Sequence, residues 1–213
     1  MFVDRDESPT TEVTFRRDGV VCVRSFLSVG EVDELKTAVT RYVAETVPNL
    51  PPEDAFYEQA GEAGTLKQLV RMEQYDPWFD ALRQRQKFVA LAERLLGTDV
   101  VSQGVEWFNK PAGIGRPTPP HQDGYYFCMD PPETLTVWIA LEDVDEHNGC
   151  LEYVVGSHRD GLRPHGRSEV LGFSQTVADF GEADRVRTQA APVRVGDLLA
   201  HHGLTIHGAQ ANS

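Results

Sequence analysis

Residues 117–127 read PTPPHQDGYYF, and residues 196–213 read GDLLAHHGLTIHGAQANS. The first stretch holds His121 and Asp123 on either side of Gln122. In extended chain, residues i and i+2 point to the same face. An imidazole and a carboxylate would then project toward one point. A third ligand from a distant strand would complete a two-histidine, one-carboxylate face. Such a facial arrangement suits non-haem Fe(II) and leaves three coordination positions open. By itself the pair is unspecific. The third ligand has to come from the remaining histidines: His147, His158, His165, His201, His202 and His207.

Both stretches lie in a half of the chain patterned for strands. From residue 98 onward, VVSQGVEWFNK, TLTVWIALEDV, CLEYVV, APVRVGDLLAHH and LTIHGA are short and rich in β-branched and aromatic residues. Gly, Pro, Asn and Asp separate them, which predicts a sandwich or barrel of short strands. The part before about residue 97 reads mainly as helix. Residues 19–27 form a short strand. Ser28 and Glu31 then make a capping box, and Val32, Leu35, Val39, Tyr42 and Val43 follow at helical spacing. The spacing predicts one helix over about 29–46 and another over about 78–96, with Gly97 as its C-cap. Residues 156–191 read as a long irregular loop, the usual form of a lid.

Composition narrows the function. There are 213 residues, within the range of one domain. A chain of this size buries roughly 70% of the surface it exposes when unfolded and needs no disulfide staples. Acidic residues outnumber basic ones 33 to 20, for a net charge of −13. Such a surface repels phosphate backbones and argues against nucleic acid as a partner. Cys22, Cys128 and Cys150 are far apart and form no CxxC pair, so they read as buried or partly buried free thiols in a reducing compartment. No window has the length and apolarity of a membrane helix. The polar, acidic start MFVDRDESPTTE resembles neither a secretory signal nor a transit peptide, and a cytoplasmic location is expected. A small molecule is the expected partner.

HQDGYYF, then residues 136–165, TVWIALEDVDEHNGCLEYVVGSHRDGLRPH, then residues 196–213 resemble the phytanoyl-CoA dioxygenase (PhyH) family of Fe(II)/2-oxoglutarate oxygenases. The shared order is HxD, W-x-A-L with an acidic residue, N-G-x-L, G-S-H, then G-D and a histidine near N-x-S. Residues 18–35, DGVVCVRSFLSVGEVDEL, are similar to the family's opening. The resemblance implies one domain over 1–213: a double-stranded β-helix (jelly roll, cupin-like), mainly β, with flanking helices. It implies His121, Asp123 and His207 as metal ligands, with Fe(II), 2-oxoglutarate and O₂ as cofactor and cosubstrates. His201 and His202 fall where the family strand is apolar or aromatic. His158 would hold the G-S-H turn, and His147 would sit exposed in a turn.

Other roles follow from the same resemblance. Trp138 would pack near 2-oxoglutarate, Thr134 would offer it a hydroxyl, and Gln103 would contact it from the strand before the HxD. Tyr125, Tyr126 and, on the lid, His165 are the candidate substrate contacts. Arg159, Arg163 and Arg167 on the lid hint at an anionic substrate. In the family an arginine on a last strand, beyond the distal histidine, grips the distal carboxylate, for which its planar fork is suited. Ser213 comes before that point, so the natural protein is expected to continue past it. The implied reaction hydroxylates an unactivated C–H bond, with succinate and CO₂ as co-products. Asp123 favours hydroxylation over halogenation, where a small residue stands so that chloride can bind. Two other readings differ in class: a non-catalytic binding or sensing protein of the same fold, and a cupin-like Zn or Mn enzyme without 2-oxoglutarate.

Overall fold

The computed structural model describes residues 1–3 and 10–213. In chain order the elements are β1 (Phe2–Val3), α1 (Thr10–Asp18), β2 (Val20–Val23), α2 (Val29–Glu45), β3 (Ala55–Tyr57) and β4 (Leu66–Leu69). Then come α3 (Met72–Tyr75), α4 (Pro77–Arg83), α5 (Gln86–Leu96), β5 (Trp107–Phe108), β6 (Thr118–His121), α6 (Asp123–Phe127) and β7 (Leu135–Ile139). The rest is β8 (Leu151–Val154), β9 (His165–Val170), β10 (Phe173–Val177), α7 (Glu182–Arg187), β11 (Thr188–Ala190), β12 (Leu198–His202) and β13 (His207–Ala209).

Two four-stranded sheets form the jelly roll, ordered β1-β2-β12-β7 and β11-β8-β13-β6. Strand alternation divides the core. On β12, Leu198 and Ala200 pack with Phe15, Leu35, Tyr42, Phe79 and Leu91 in the helical layer. Leu199 points the other way, into a cluster with Val20, Cys22, Ala140 and Tyr153 between the sheets. β7 follows the same rule: Leu135, Val137 and Ile139 meet the helical layer, and Trp138 meets the inner cluster. Each fully buried Leu or Phe is worth about 1.5–3 kcal/mol relative to exposure, so these two faces hold the sheets and helices together. β7 stands at one end of its sheet, with all five residues half-buried.

The helical layer begins as expected. In α2 the Ser28 hydroxyl accepts from Glu31 N while the Glu31 carboxylate accepts from Ser28 N, the reciprocal cap read from the sequence. The helix expected over 78–96 is instead two, α4 and α5, because Arg85 is extended (φ −60°, ψ 128°). The helical and β parts are not cleanly divided: β2 is hydrogen-bonded to β12 within the jelly roll. The stretch 156–191 is not an irregular loop. It holds the antiparallel β9–β10 hairpin, α7 and β11, and the hairpin turns at Gly172, whose φ of +83° suits a residue without Cβ. Cys22 and Cys150 are buried as expected, but Cys128 is exposed, at the C-cap of α6. Among the described residues no helix is long and apolar enough to cross a membrane.

The G-D turn anchors β12. Gly196 has φ +85°, and a Cβ there would lie 3.0 Å from Leu27 O. Asp197, buried, accepts from Ser25 N (2.7 Å), Arg194 N (2.9 Å) and Arg24 Nη1 (2.5 Å). Burial alone would raise its carboxyl pKa, but the Arg194 and Ser25 amides and the Arg24 guanidinium outweigh this and hold it below the usual carboxylate range. Asp197→Asn should therefore cost about 2–4 kcal/mol in urea unfolding near neutral pH. A depressed folded pKa gives stability that is complete above the unfolded value of about 3.9 and lost as pH falls through the folded one. The difference between wild type and Asp197→Asn should shrink as the pH falls below about 4; a constant difference would contradict this role. For the thiols, burial pushes Cys22 up to about 12. A native-state thiol reagent should modify Cys128 and spare Cys22 and Cys150 until the protein is unfolded, as peptide mass mapping would show.

Candidate metal centre

Register brings the site together. β13 pairs with β6 so that His207 lies opposite His121, and with β8 so that His207 lies opposite Tyr153. His121 closes β6, Gln122 stays extended (φ −121°, ψ 126°), and Asp123 opens α6. The carboxylate is thus on a helical turn rather than in the strand, but the extended Gln122 preserves the same-face relation. Ligand atoms of His121, Asp123 and His207 lie within 4.8 Å of one another. The Nε2 atoms of His121 and His207 are 3.5 and 3.6 Å from Asp123 Oδ1.

Both imidazoles are oriented from behind. His121 Nδ1 is 2.8 Å from Pro119 O, and His207 Nδ1 is 3.1 Å from Thr205 O. A carbonyl only accepts, so each Nδ1 carries the proton and each Nε2 presents a lone pair to the centre. Burial, with His121 next, holds the His207 pKa well below the usual imidazole value. Burial would raise Asp123, yet the neighbouring imidazoles of His207, His121 and His201 hold it well below the carboxylate range. Two neutral imidazoles and a carboxylate are the donor set for a divalent transition metal. Neighbouring donors on an ion bound at about 2.1 Å stand about 3 Å apart, close to the observed separations, so these residues fit an iron ion.

Around the trio, the structure assigns places to the other candidates. Trp138 lies on the inner face of β7, packed in the cluster with Tyr153 and Leu199. Thr134 precedes β7, and its buried Oγ1 has no partner among the described residues. Gln103 was expected on a strand before the HxD. It is exposed and outside β5, which spans only Trp107–Phe108, so it makes no strand-borne contact at the site. Tyr126 donates its hydroxyl to Gln175 O (3.2 Å) and sets its ring 6.1 Å from that of His121. Tyr125 stacks on His165 at 4.2 Å. Both His165 nitrogens are engaged: Nε2 accepts from Gln122 N (3.2 Å) and Nδ1 donates to Arg163 O (2.9 Å). His165 therefore braces the HxD turn rather than reaching from a mobile lid. Arg163 is held by Asp179 and Asp184, and Arg159 donates to Arg17 O. His158 holds its turn through Arg16 O (3.2 Å), and His147 is exposed.

Four further residues stand at the site without a role there having been assigned to them from the sequence. Phe173 sets its ring 5.0 Å from His121 and stacks on Phe108 at 6.0 Å. Thr136 donates to Asp123 Oδ2 at 2.6 Å. His201 Nε2 is 3.0 Å from the same oxygen, and Tyr153 OH is 3.0 Å from His201 Nδ1. Strand alternation puts Thr136 on the face of Trp138, but not its contact with Asp123. The other three depend on pairings between distant segments.

Comparison with known proteins agrees with this geometry. The profile of the family described as phytanoyl-CoA dioxygenase (PhyH) matches residues 15–213. A phytanoyl-CoA dioxygenase of Arabidopsis thaliana is 34% identical over 170 residues, covering 74% of this chain and 59% of the plant protein. The chain spans about half the length of the curated relatives it matches, 49–59% for the first three. Among solved structures, the non-heme alpha ketoglutarate dependent epimerase SnoN from nogalamycin biosynthesis superposes with a TM-score of 0.73 at 26% identity, covering 96% of this chain and 76% of SnoN. EvdO2 from Micromonospora carbonacea var. aurantiaca, complexed with 2-oxoglutarate, gives 0.74 at 26% identity, over 100% of this chain and 87% of EvdO2. Ordered motifs, jelly roll and converging trio thus agree with a profile match across residues 15–213, and the chain belongs to the phytanoyl-CoA dioxygenase family.

Proposed function

We propose that this protein is an Fe(II)- and 2-oxoglutarate-dependent dioxygenase that hydroxylates an unactivated C–H bond of a small molecule. The balanced reaction is substrate C–H plus 2-oxoglutarate plus O₂ to substrate C–OH plus succinate plus CO₂. The observation that carries the reading is the convergence of His121, Asp123 and His207 with both histidine tautomers already set for binding. Family membership and the 2-oxoglutarate-bound EvdO2 structure support the cosubstrate.

His121, Asp123 and His207 would hold the iron. When bound, the iron and 2-oxoglutarate supply the oxidation that no side chain can perform. The chain's own residues supply placement. Pro119 and Thr205 carbonyls fix the two rings, and His165 fixes the backbone between the first two ligands. Trp138 would flank the cosubstrate from the inner face of β7. Phe173, Phe108 and Tyr126 would form an apolar wall for the substrate beside His121 and keep water from the reacting carbon. SnoN is an epimerase, so an outcome other than hydroxylation is the specific alternative for a neighbour of this fold.

Iron-loaded protein should convert 2-oxoglutarate to succinate with O₂ consumption, and a matching metabolite should raise the rate. Chelation should abolish the activity and Fe(II) should restore it. Asp123→Ala and His207→Ala should fall at least about 100-fold, because removing a direct ligand costs no less than the 10–100-fold typical of outer-shell partners. Iron-loaded, folded protein that leaves 2-oxoglutarate unconsumed across a broad metabolite screen would count decisively against the proposal. A product epimerised without a new oxygen atom, seen by mass spectrometry, would replace hydroxylation with the alternative.

A further inference from the structure

Two buried residues outside the ligand trio converge on Asp123. His201 is 2% exposed and Tyr153 is fully buried. They come from different sheets, His201 from β12 and Tyr153 from β8. The Tyr153 hydroxyl is 3.0 Å from His201 Nδ1, and His201 Nε2 is 3.0 Å from Asp123 Oδ2. The Thr136 hydroxyl donates to the same Oδ2 at 2.6 Å. The two oxygens of Asp123 therefore have different surroundings. Oδ1 faces the Nε2 atoms of His121 and His207, while Oδ2 is engaged by two donors.

The direction of the protons follows from donor and acceptor chemistry. A carboxylate only accepts, so His201 Nε2 carries a hydrogen. In the neutral ring Nδ1 is then an acceptor, and the Tyr153 hydroxyl must donate to it. The opposite tautomer would set an Nε2 lone pair against a carboxylate oxygen in a buried site, where such opposition is costly. The phenol thus selects the imidazole tautomer, and the imidazole orients the carboxylate. An apolar ring at position 201 would fill the volume equally well but leave Oδ2 one donor short.

We propose that Tyr153 and His201 form a positioning relay that fixes the Asp123 carboxylate with Oδ1 alone turned to the metal. The relay sets how tightly, and in what ligand field, the ion is held. This rests on the metal-dependent reading above and deepens it. Neither residue touches the reacting atoms; both act through Asp123. Partners behind a metal ligand orient it and tune its basicity, and losing one typically costs 10–100-fold in affinity.

The test is anaerobic Fe(II) titration by calorimetry, paired with the visible absorption of the Co(II)-loaded protein. His201→Phe, which keeps the ring, should weaken Fe(II) binding about 10–100-fold and change the Co(II) spectrum. Tyr153→Phe should act in the same direction by a smaller factor. The double variant should bind no more weakly than His201→Phe, since both changes break one chain. His201→Gln, which restores an N–H donor, should recover part of the affinity. Folded variants with wild-type Fe(II) affinity and a wild-type Co(II) spectrum would overturn the relay and leave the functional reading standing. If His201→Phe fails to fold, Tyr153→Phe decides alone, since it removes a single oxygen. A wild-type protein that binds no Fe(II) would overturn the functional reading, and the relay with it.

Discussion

The pairing of β13 against β6 is the constraint on which the site depends. It sets His207 across from His121, with Asp123 one extended residue beyond. Side chains alternate along a strand, so a one-residue slip would turn His207 to the opposite face and dissolve the centre. β13 also pairs with β8, which fixes it from both sides and buries all three of its residues. The rest of the molecule keeps that register. The inner cluster fills the space between the sheets, and the helical layer backs β12 and β7.

The polar interior follows the same economy of placement. Three histidines and a carboxylate sit together, with His201, His121 and His207 at most 6% exposed and Asp123 half-buried. Four such groups in a low dielectric are tolerable only when each hydrogen has an acceptor and each lone pair a use. Pro119 O, Thr205 O and the Tyr153 hydroxyl take up the backs of the three rings. What faces inward is a negative oxygen between two nitrogen lone pairs. That arrangement is unfavourable when empty and suited to a divalent cation, the mark of a site shaped by binding rather than by folding.

The sequence made the ligands legible because their spacing is local or their surroundings ordered. His121 and Asp123 declare themselves by one intervening residue, and His207 by the strand that follows Gly196-Asp197. The capping box of α2 was equally plain, since Ser28 and Glu31 are three residues apart. The failures have physical reasons. Phe88, Leu91 and Leu95 continue the apolar stripe of Phe79 and Leu82, so periodicity could not reveal the break at Arg85. VVSQGVEWFNK has strand composition, yet only its Trp107 and Phe108 pair as a strand, against β4, and Gln103 is left at the surface. The stretch 156–191 looked irregular because its charged residues hide the β9–β10 hairpin. Arg163, read there as a possible anion contact, is spent on Asp179 and Asp184. Tyr153 and His201 are 48 residues apart, and only the fold brings them within hydrogen-bond reach.

The central claim is that His121, Asp123 and His207 hold one redox-active ion that also seats 2-oxoglutarate. The most direct measurement is the visible spectrum of the protein with Fe(II) and 2-oxoglutarate under strictly anaerobic conditions. The account predicts a weak charge-transfer band, present only when both components are added and missing from Asp123→Ala. A folded, iron-loaded protein whose spectrum does not change when 2-oxoglutarate is added would contradict it.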